Sequence, residues 1–124
     1  MKTRCLIIDD EPLARDLIRN HIEKLENFEI VAECGDAMKA MQELRDQQVD
    51  LMFMDIQMPV MDGLECTKKI RRELNSDIPI IAVTASASHE DREEYLRIGI
   101  SDVIHKPVVL KELYEKLTIW LPKS

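Results

Sequence analysis

Nothing in the chain is long and apolar enough to cross a membrane: no run approaches the roughly 18 residues that a span requires, and Met1-Lys2-Thr3-Arg4 leads into an apolar stretch too short for a signal-peptide core. Basic residues are also in short supply. Seventeen Lys and Arg face twenty-four Asp and Glu, a formal charge of −7, and no basic cluster appears, which argues against a nucleic-acid surface. Cysteine is sparse and odd in number. Cys5, Cys34 and Cys66 are widely spaced and form no C-x-x-C pair, so neither zinc nor a disulfide framework is expected, and they read as small core residues in a reducing compartment. Linkers, repeats and low-complexity stretches are absent too, and the three glycines and five prolines fall between periodic segments or at their ends. The expectation is one cytoplasmic domain over residues 1–124, without an output domain in this chain.

What is present is regular. With 124 residues, 45% of them apolar and 33% charged, the chain can bury a core of its own. Five short apolar runs read as strands: Cys5 to Ile8, Glu29 to Cys34, Leu51 to Met54, Pro79 to Val83 and Asp102 to Ile104. Several are continuous rather than alternating, as in strands covered on both faces. Between them lie helical periods. Leu13, Leu17, Ile18, Ile22 and Leu25 return to one face behind Pro12, as do Ala37, Ala40, Met41 and Leu44, and then Leu64, Thr67, Ile70 and Leu74. An acidic helix from His89 to Ile98 ends at Gly99, and a last one carries Leu110, Leu113, Leu117 and Leu121. Five strand-then-helix repeats predict an α/β fold with a parallel, doubly wound sheet and right-handed crossovers. Ligands of such sheets sit at the carboxyl ends of the strands.

At that edge the polar residues gather. The first strand runs out into Asp9-Asp10-Glu11, the third into Asp55, the fourth into Thr84, and the fifth through His105 into Lys106-Pro107. Three carboxylates brought together repel one another unless a cation sits among them. An oxygen-only donor set without His or Cys favours Mg²⁺ or Mn²⁺ over zinc, and Mg²⁺ best when water and a phosphate oxygen complete it. A lysine and a hydroxyl beside that ion would serve the remaining oxygens of a phosphoryl group. Asp55, closing a buried apolar strand, is the nucleophile candidate for an acyl phosphate. The plainer alternative makes Asp9 or Asp10 the N-cap of the first helix; Asp62, before Gly63, reads as a helix cap. Gln57 disfavours a phosphatase of the D-x-D type, because an amide cannot act as the second acid. Glu90, Asp91, Glu93 and Glu94 read as a solvated helix face, and His105 as a surface residue.

Asp9-Asp10, Asp55 within Met54-Asp55-Ile56-Gln57-Met58-Pro59-Val60-Met61-Asp62-Gly63, Thr84-Ala85 and Lys106-Pro107 together resemble the receiver domain of two-component response regulators, over essentially the whole chain. The resemblance implies a flavodoxin-like strand order 2-1-3-4-5. It implies a phosphoacceptor switch rather than an enzyme, one that assists its own phosphorylation and dephosphorylation. Asp55 would take a phosphoryl group from a phosphohistidine on a sensor kinase or phosphotransfer protein, with movement of residues 84–107 controlling output. By the same likeness Asp10 would bind Mg²⁺ directly, Asp9 mostly through water, and the Gln57 carbonyl would complete the protein ligands alongside Asp55. Lys106 would pair with Asp55 and then with the phosphoryl oxygens, Thr84 would bond the phosphoryl group, Pro107 would follow a cis peptide, and Gln57 and Ser86 would line the water entrance. A phosphorylation-dependent homodimer is compatible with it. Two departures stand out. Where many receivers place an aromatic three residues before the lysine this chain has Val103, which cannot make the same rotamer exchange. The stretch from Cys5 to Met58, with Asp10-Glu11-Pro12-Leu13-Ala14-Arg15, also resembles receivers attached to LytTR-type outputs, whereas Met58 to Leu121 resembles those of hybrid histidine kinases, so no output is assigned.

Overall fold

The computed structural model describes residues 2–58, 61–85 and 87–120. Strands and helices alternate throughout: β1 (Thr3–Ile8), α1 (Pro12–Glu23), β2 (Phe28–Cys34), α2 (Ala37–Asp46), β3 (Leu51–Asp55), α3 (Gly63–Glu73), β4 (Ile80–Thr84), α4 (His89–Ile98), β5 (Asp102–His105) and α5 (Leu110–Trp120). All pairings are parallel and the strand order is β2-β1-β3-β4-β5, as expected. The strands run one or two residues past the apolar stretches at one end or the other, because ladder hydrogen bonds continue into the polar residues that close them. Asp55, Thr84 and His105 are thus strand residues.

Alternation along the strands sends side chains to two cores. Leu6, Ile8, Met52, Met54, Ile80 and Ala82 pack with residues of α2, α3 and α4, among them Ala40, Met41, Ile70 and Tyr95. Cys5, Ile7, Phe53, Ile81, Val83 and Ile104 pack with Ile18 and Ile22 of α1 and Leu113 and Leu117 of α5. Helices therefore cover both faces. All three cysteines are buried and unpaired, and burial pushes the Cys5 and Cys66 thiols up to about 12.

Local chemistry places the helix starts. Asp36 and Asp62 accept from the Lys39 and Glu65 backbone N–H groups at 2.8 and 2.9 Å, and Ser88 and Asp91 form a reciprocal capping box on α4. Asp62 is thus the cap that its position suggested. Gly63 is required by close approach: a Cβ there would lie 2.7 Å from the Asp55 carbonyl oxygen and 2.9 Å from the Ile56 Cα. That contact draws the start of α3 against the end of β3.

Two expectations change. Leu13 is 80% exposed and Leu17 lies at the surface, so the buried stripe of α1 is Ile18 and Ile22, continued by the partly buried Leu25. Leu110 is likewise exposed, in the first turn of α5, and Leu121 lies outside the described residues. The N-cap of α1 is Glu11, not Asp9 or Asp10, and its side chain makes no capping bond.

Candidate phosphoacceptor site

β1 and β3 are neighbours in the sheet, so their carboxyl ends bring Asp9 and Asp55 side by side. Asp9 is 1% exposed and Asp55 4%, whereas Asp10, one residue further along, reaches the surface. One carboxylate oxygen from each of Asp9, Asp10 and Asp55 can be chosen so that all three lie within 4.8 Å of one another. Across the sheet, Lys106 follows β5 and turns back over this group. Its Nζ stands 3.2 Å from Asp9 Oδ2 and 3.4 Å from Asp55 Oδ1. The Lys106 N–H donates to the Thr84 carbonyl at 2.8 Å, which fixes the lysine backbone to the end of β4. Thr84 is buried and one residue past Val83, the register partner of Asp55. The peptide between Lys106 and Pro107 is cis, as the resemblance implied.

Four sequence-predicted residues, Asp9, Asp10, Asp55 and Lys106, thus converge, with Thr84 in the adjoining strand. Gln57 lies at the rim with an exposed side chain, and its backbone N–H donates to Asp55 Oδ1 at 3.2 Å. Ser86 falls outside the described residues. The sequence had not singled out the groups that hold the β1–α1 turn. Asp9 Oδ1 accepts from the Glu11 N–H at 2.9 Å, and the Arg15 guanidinium donates to the Asp9 carbonyl at 2.6 Å. Arg15, one turn into α1, appeared in the sequence only within the stretch from Asp10 to Arg15, with no role of its own. His105 is not a plain surface residue either: it is half-buried, with its ring between Arg92 of α4 and Glu112 of α5.

The site is electrostatically incomplete. Burial and the neighbouring Asp9 charge push the Asp55 carboxyl up to about 6, although Lys106 and the Gln57 N–H pull the other way. Asp9 Oδ2 is buried and makes no hydrogen bond, since Lys106 approaches it as a charge but without hydrogen-bond geometry. An all-oxygen donor set with a surplus of negative charge and an orphaned buried oxygen fits a hard divalent cation. A small apolar cleft of about 110 Å³ adjoins it, lined by Ala14, Leu17, Val83, Lys106, Pro107 and Val108 among others. The wider cleft around Val49, Asp50, Pro79 and Trp120 opens at the opposite end of the sheet, away from this chemistry.

Comparisons with known proteins agree with this arrangement. The family profile of the response regulator receiver domain matches residues 5–118. A probable C4-dicarboxylate response regulator, DctR, of Halalkalibacterium halodurans is 37% identical over 115 residues, which are 93% of this chain and 50% of that protein. The sensor protein EvgS of Escherichia coli is 37% identical over 94% of this chain and 10% of its own length. The chain thus spans half or less of the length of these relatives. Among solved structures, the receiver domain of a sensor histidine kinase from Pseudomonas aeruginosa, with a magnesium ion coordinated in its active-site cleft, is 31% identical with a TM-score of 0.82, covering 97% of this chain and 98% of that one. The response regulator domain of Thermotoga maritima CheB, at 24% identity and a TM-score of 0.88, shares the fold over the full chain.

Proposed function

The chain belongs to the response regulator receiver family of phosphoacceptor signalling domains, and from that premise we propose that Asp55 is its acceptor and that Asp9, Asp10, Asp55 and the Gln57 carbonyl hold the Mg²⁺ that the reaction needs. In the forward step an Asp55 carboxylate oxygen attacks the phosphorus of a phosphohistidine on a sensor kinase or histidine phosphotransfer protein. The phosphorus–nitrogen bond breaks as the phosphorus–oxygen bond forms, and the imidazole leaves with the electron pair. Bound Mg²⁺ supplies charge neutralisation for the phosphoryl oxygens. Lys106 Nζ, already between Asp9 and Asp55, moves its charge onto a phosphoryl oxygen, and Thr84 supplies the hydroxyl for another. Reversal is hydrolysis of the acyl phosphate, with water reaching phosphorus past Gln57, so the domain assists both directions without being an enzyme in its own right. The 84–107 region moves with Thr84 and Lys106 and controls output.

The observation that carries this reading is the bridging position of Lys106 Nζ, 3.2 Å from Asp9 and 3.4 Å from Asp55, with Asp10 alongside. Relatives among both regulators and sensor kinases support a phosphohistidine partner. A homodimer formed on phosphorylation and a cytoplasmic location complete the proposal; no described helix is long and apolar enough to span a membrane. The test is intact mass after incubation with Mg²⁺ and a small acyl phosphate. One phosphoryl group should be gained by the native chain and none by Asp55→Asn. Uptake by Asp55→Asn would remove Asp55 from its role, and rapid multiple turnover would indicate a phosphatase.

A further inference from the structure

His105 occupies an unusual place in this switch. It is the register partner of Thr84 across the β4–β5 ladder and the residue immediately before Lys106, so its backbone lies between the two groups that respond to the phosphoryl group. Both helices flanking β5 are fastened to it. From α5, Glu112 Oε1 accepts from the His105 backbone N–H at 2.7 Å and Oε2 lies 3.2 Å from the ring Nδ1. From α4, Arg92 Nη2 lies 3.1 Å from Nε2. Burial works to raise the Glu112 carboxyl, but the His105 N–H and ring, with Lys116 nearby, hold it below its ordinary value.

The ring thus stands between an acceptor on α5 and a donor on α4: the Glu112 carboxylate only accepts, and the Arg92 guanidinium only donates. The position three before Lys106 holds no aromatic but Val103, which is buried in the same core as Tyr95 of α4.

We infer that His105 is the coupling residue of this domain, tying α4 through Arg92 and α5 through Glu112 to the backbone between Thr84 and Lys106, so that the state of the site is transmitted to the α4–α5 surface. This rests on the phosphoacceptor reading above for the signal, not for the link itself. Displacement of Thr84 or Lys106 pulls on His105, and the pull reaches Arg92 without any side-chain rotation in the core.

Amide hydrogen exchange of residues 89–98 tests the link, alongside intact mass. On phosphoryl uptake from Mg²⁺ and a small acyl phosphate, the native chain and His105→Gln, whose amide can still accept from Arg92 and donate to Glu112, should change α4 protection. His105→Leu should take up the phosphoryl group yet show a change reduced by about fivefold, the scale of one lost hydrogen bond. Without phosphoryl donor, His105→Leu should show lower α4 protection than the native chain, and His105→Gln should not. A full α4 response in His105→Leu, or donor-free α4 protection in His105→Leu equal to that of the native chain, overturns the inference. Failure of the native chain to gain phosphoryl mass overturns the acceptor assignment instead, and the donor-free comparison then decides the link by itself.

Discussion

Two aspartates of this protein each face a lysine, and they behave oppositely. Asp102, at the start of β5, receives Lys116 Nζ at 2.8 Å, Trp120 Nε1 at 2.9 Å and the Val103 N–H at 2.8 Å. Burial works to raise it, but these three donors outweigh burial and hold its carboxyl below the ordinary value. Asp55, at the end of β3, shares its one lysine with Asp9, has one backbone donor, and is pushed up to about 6. The first is a finished ion pair that staples α5 to the sheet. The second is short of positive charge, and on the function proposed above that shortage is what would let a cation and then a phosphoryl group enter. Pairing with lysine does not distinguish structural from functional acid; the number of donors left over does.

The largest expected consequence is on metal. A cation that fits only the folded site stabilises the protein by mass action, by about 2.7 kcal/mol at a hundred times its dissociation constant. Thermal unfolding in Mg²⁺ should therefore show a marked upward shift for the native chain, and a much smaller one for Asp10→Ala. An equal shift in both would place the cation elsewhere and dissolve the contrast with Asp102. Next in size is the staple. Asp102→Ala leaves the Lys116 ammonium and the Trp120 indole N–H without their acceptor, and should cost about 2 kcal/mol in denaturant unfolding without affecting phosphoryl uptake.

The two aspartates should also differ in sign against pH. Because the folded carboxyl of Asp55 is raised, its contribution to stability is fully present below the ordinary value of 3.8 and is lost as pH rises through about 6. Asp55→Asn should thus be more stable than the native chain at pH 7, by about 1 kcal/mol once the forfeited attraction to Lys106 is set against the relief, and the gain should vanish below about pH 4. For Asp102 the folded carboxyl is depressed, so its contribution is present above 3.8 and disappears as pH falls through the lower folded value. Equilibrium unfolding of Asp55→Asn and Asp102→Asn across this range separates them; parallel pH profiles would mean the two sites are not electrostatically different.

Much of this was legible in the sequence, for definite reasons. Strands covered on both faces are continuous apolar runs, and each candidate site residue stands where such a run ends, so Asp9, Asp55, Thr84 and Lys106 announced themselves together. Leu13 and Leu17 misled because periodicity marks the apolar stripe of a helix without showing how much of that stripe the sheet covers. Arg15 and His105 were unreadable for another reason. Their roles depend on a carbonyl six residues back for Arg15, and on side chains from two other helices for His105, and no local pattern encodes such meetings. The acidic residues of α4 illustrate the same limit in reverse: Glu90, Glu93 and Glu94 are exposed as expected, yet Asp91 also closes the capping box that starts the helix.

The smallest expected effect is the most telling for the comparison. Lys116→Met removes the cation from Asp102 while keeping most of the stem that packs beneath it. Trp120 and the Val103 N–H remain to hold the carboxylate, which is partly open to water, so the loss should be about 0.5 kcal/mol, or about 2 °C in Tm. Lys106→Met makes the same chemical change beside Asp55, where among the described residues no comparable donors stand in reserve: of these only the Gln57 N–H remains, and Asp9 Oδ2 loses the one cation they supply. Its deficit should therefore exceed that of Lys116→Met in metal-free buffer and shrink when Mg²⁺ is added, because the incoming charge replaces the one removed. Mg²⁺ should leave the Lys116→Met deficit where it was. If the two variants lost equal stability and responded alike to Mg²⁺, the surplus of negative charge at Asp9 and Asp55 would not be what sets this site apart.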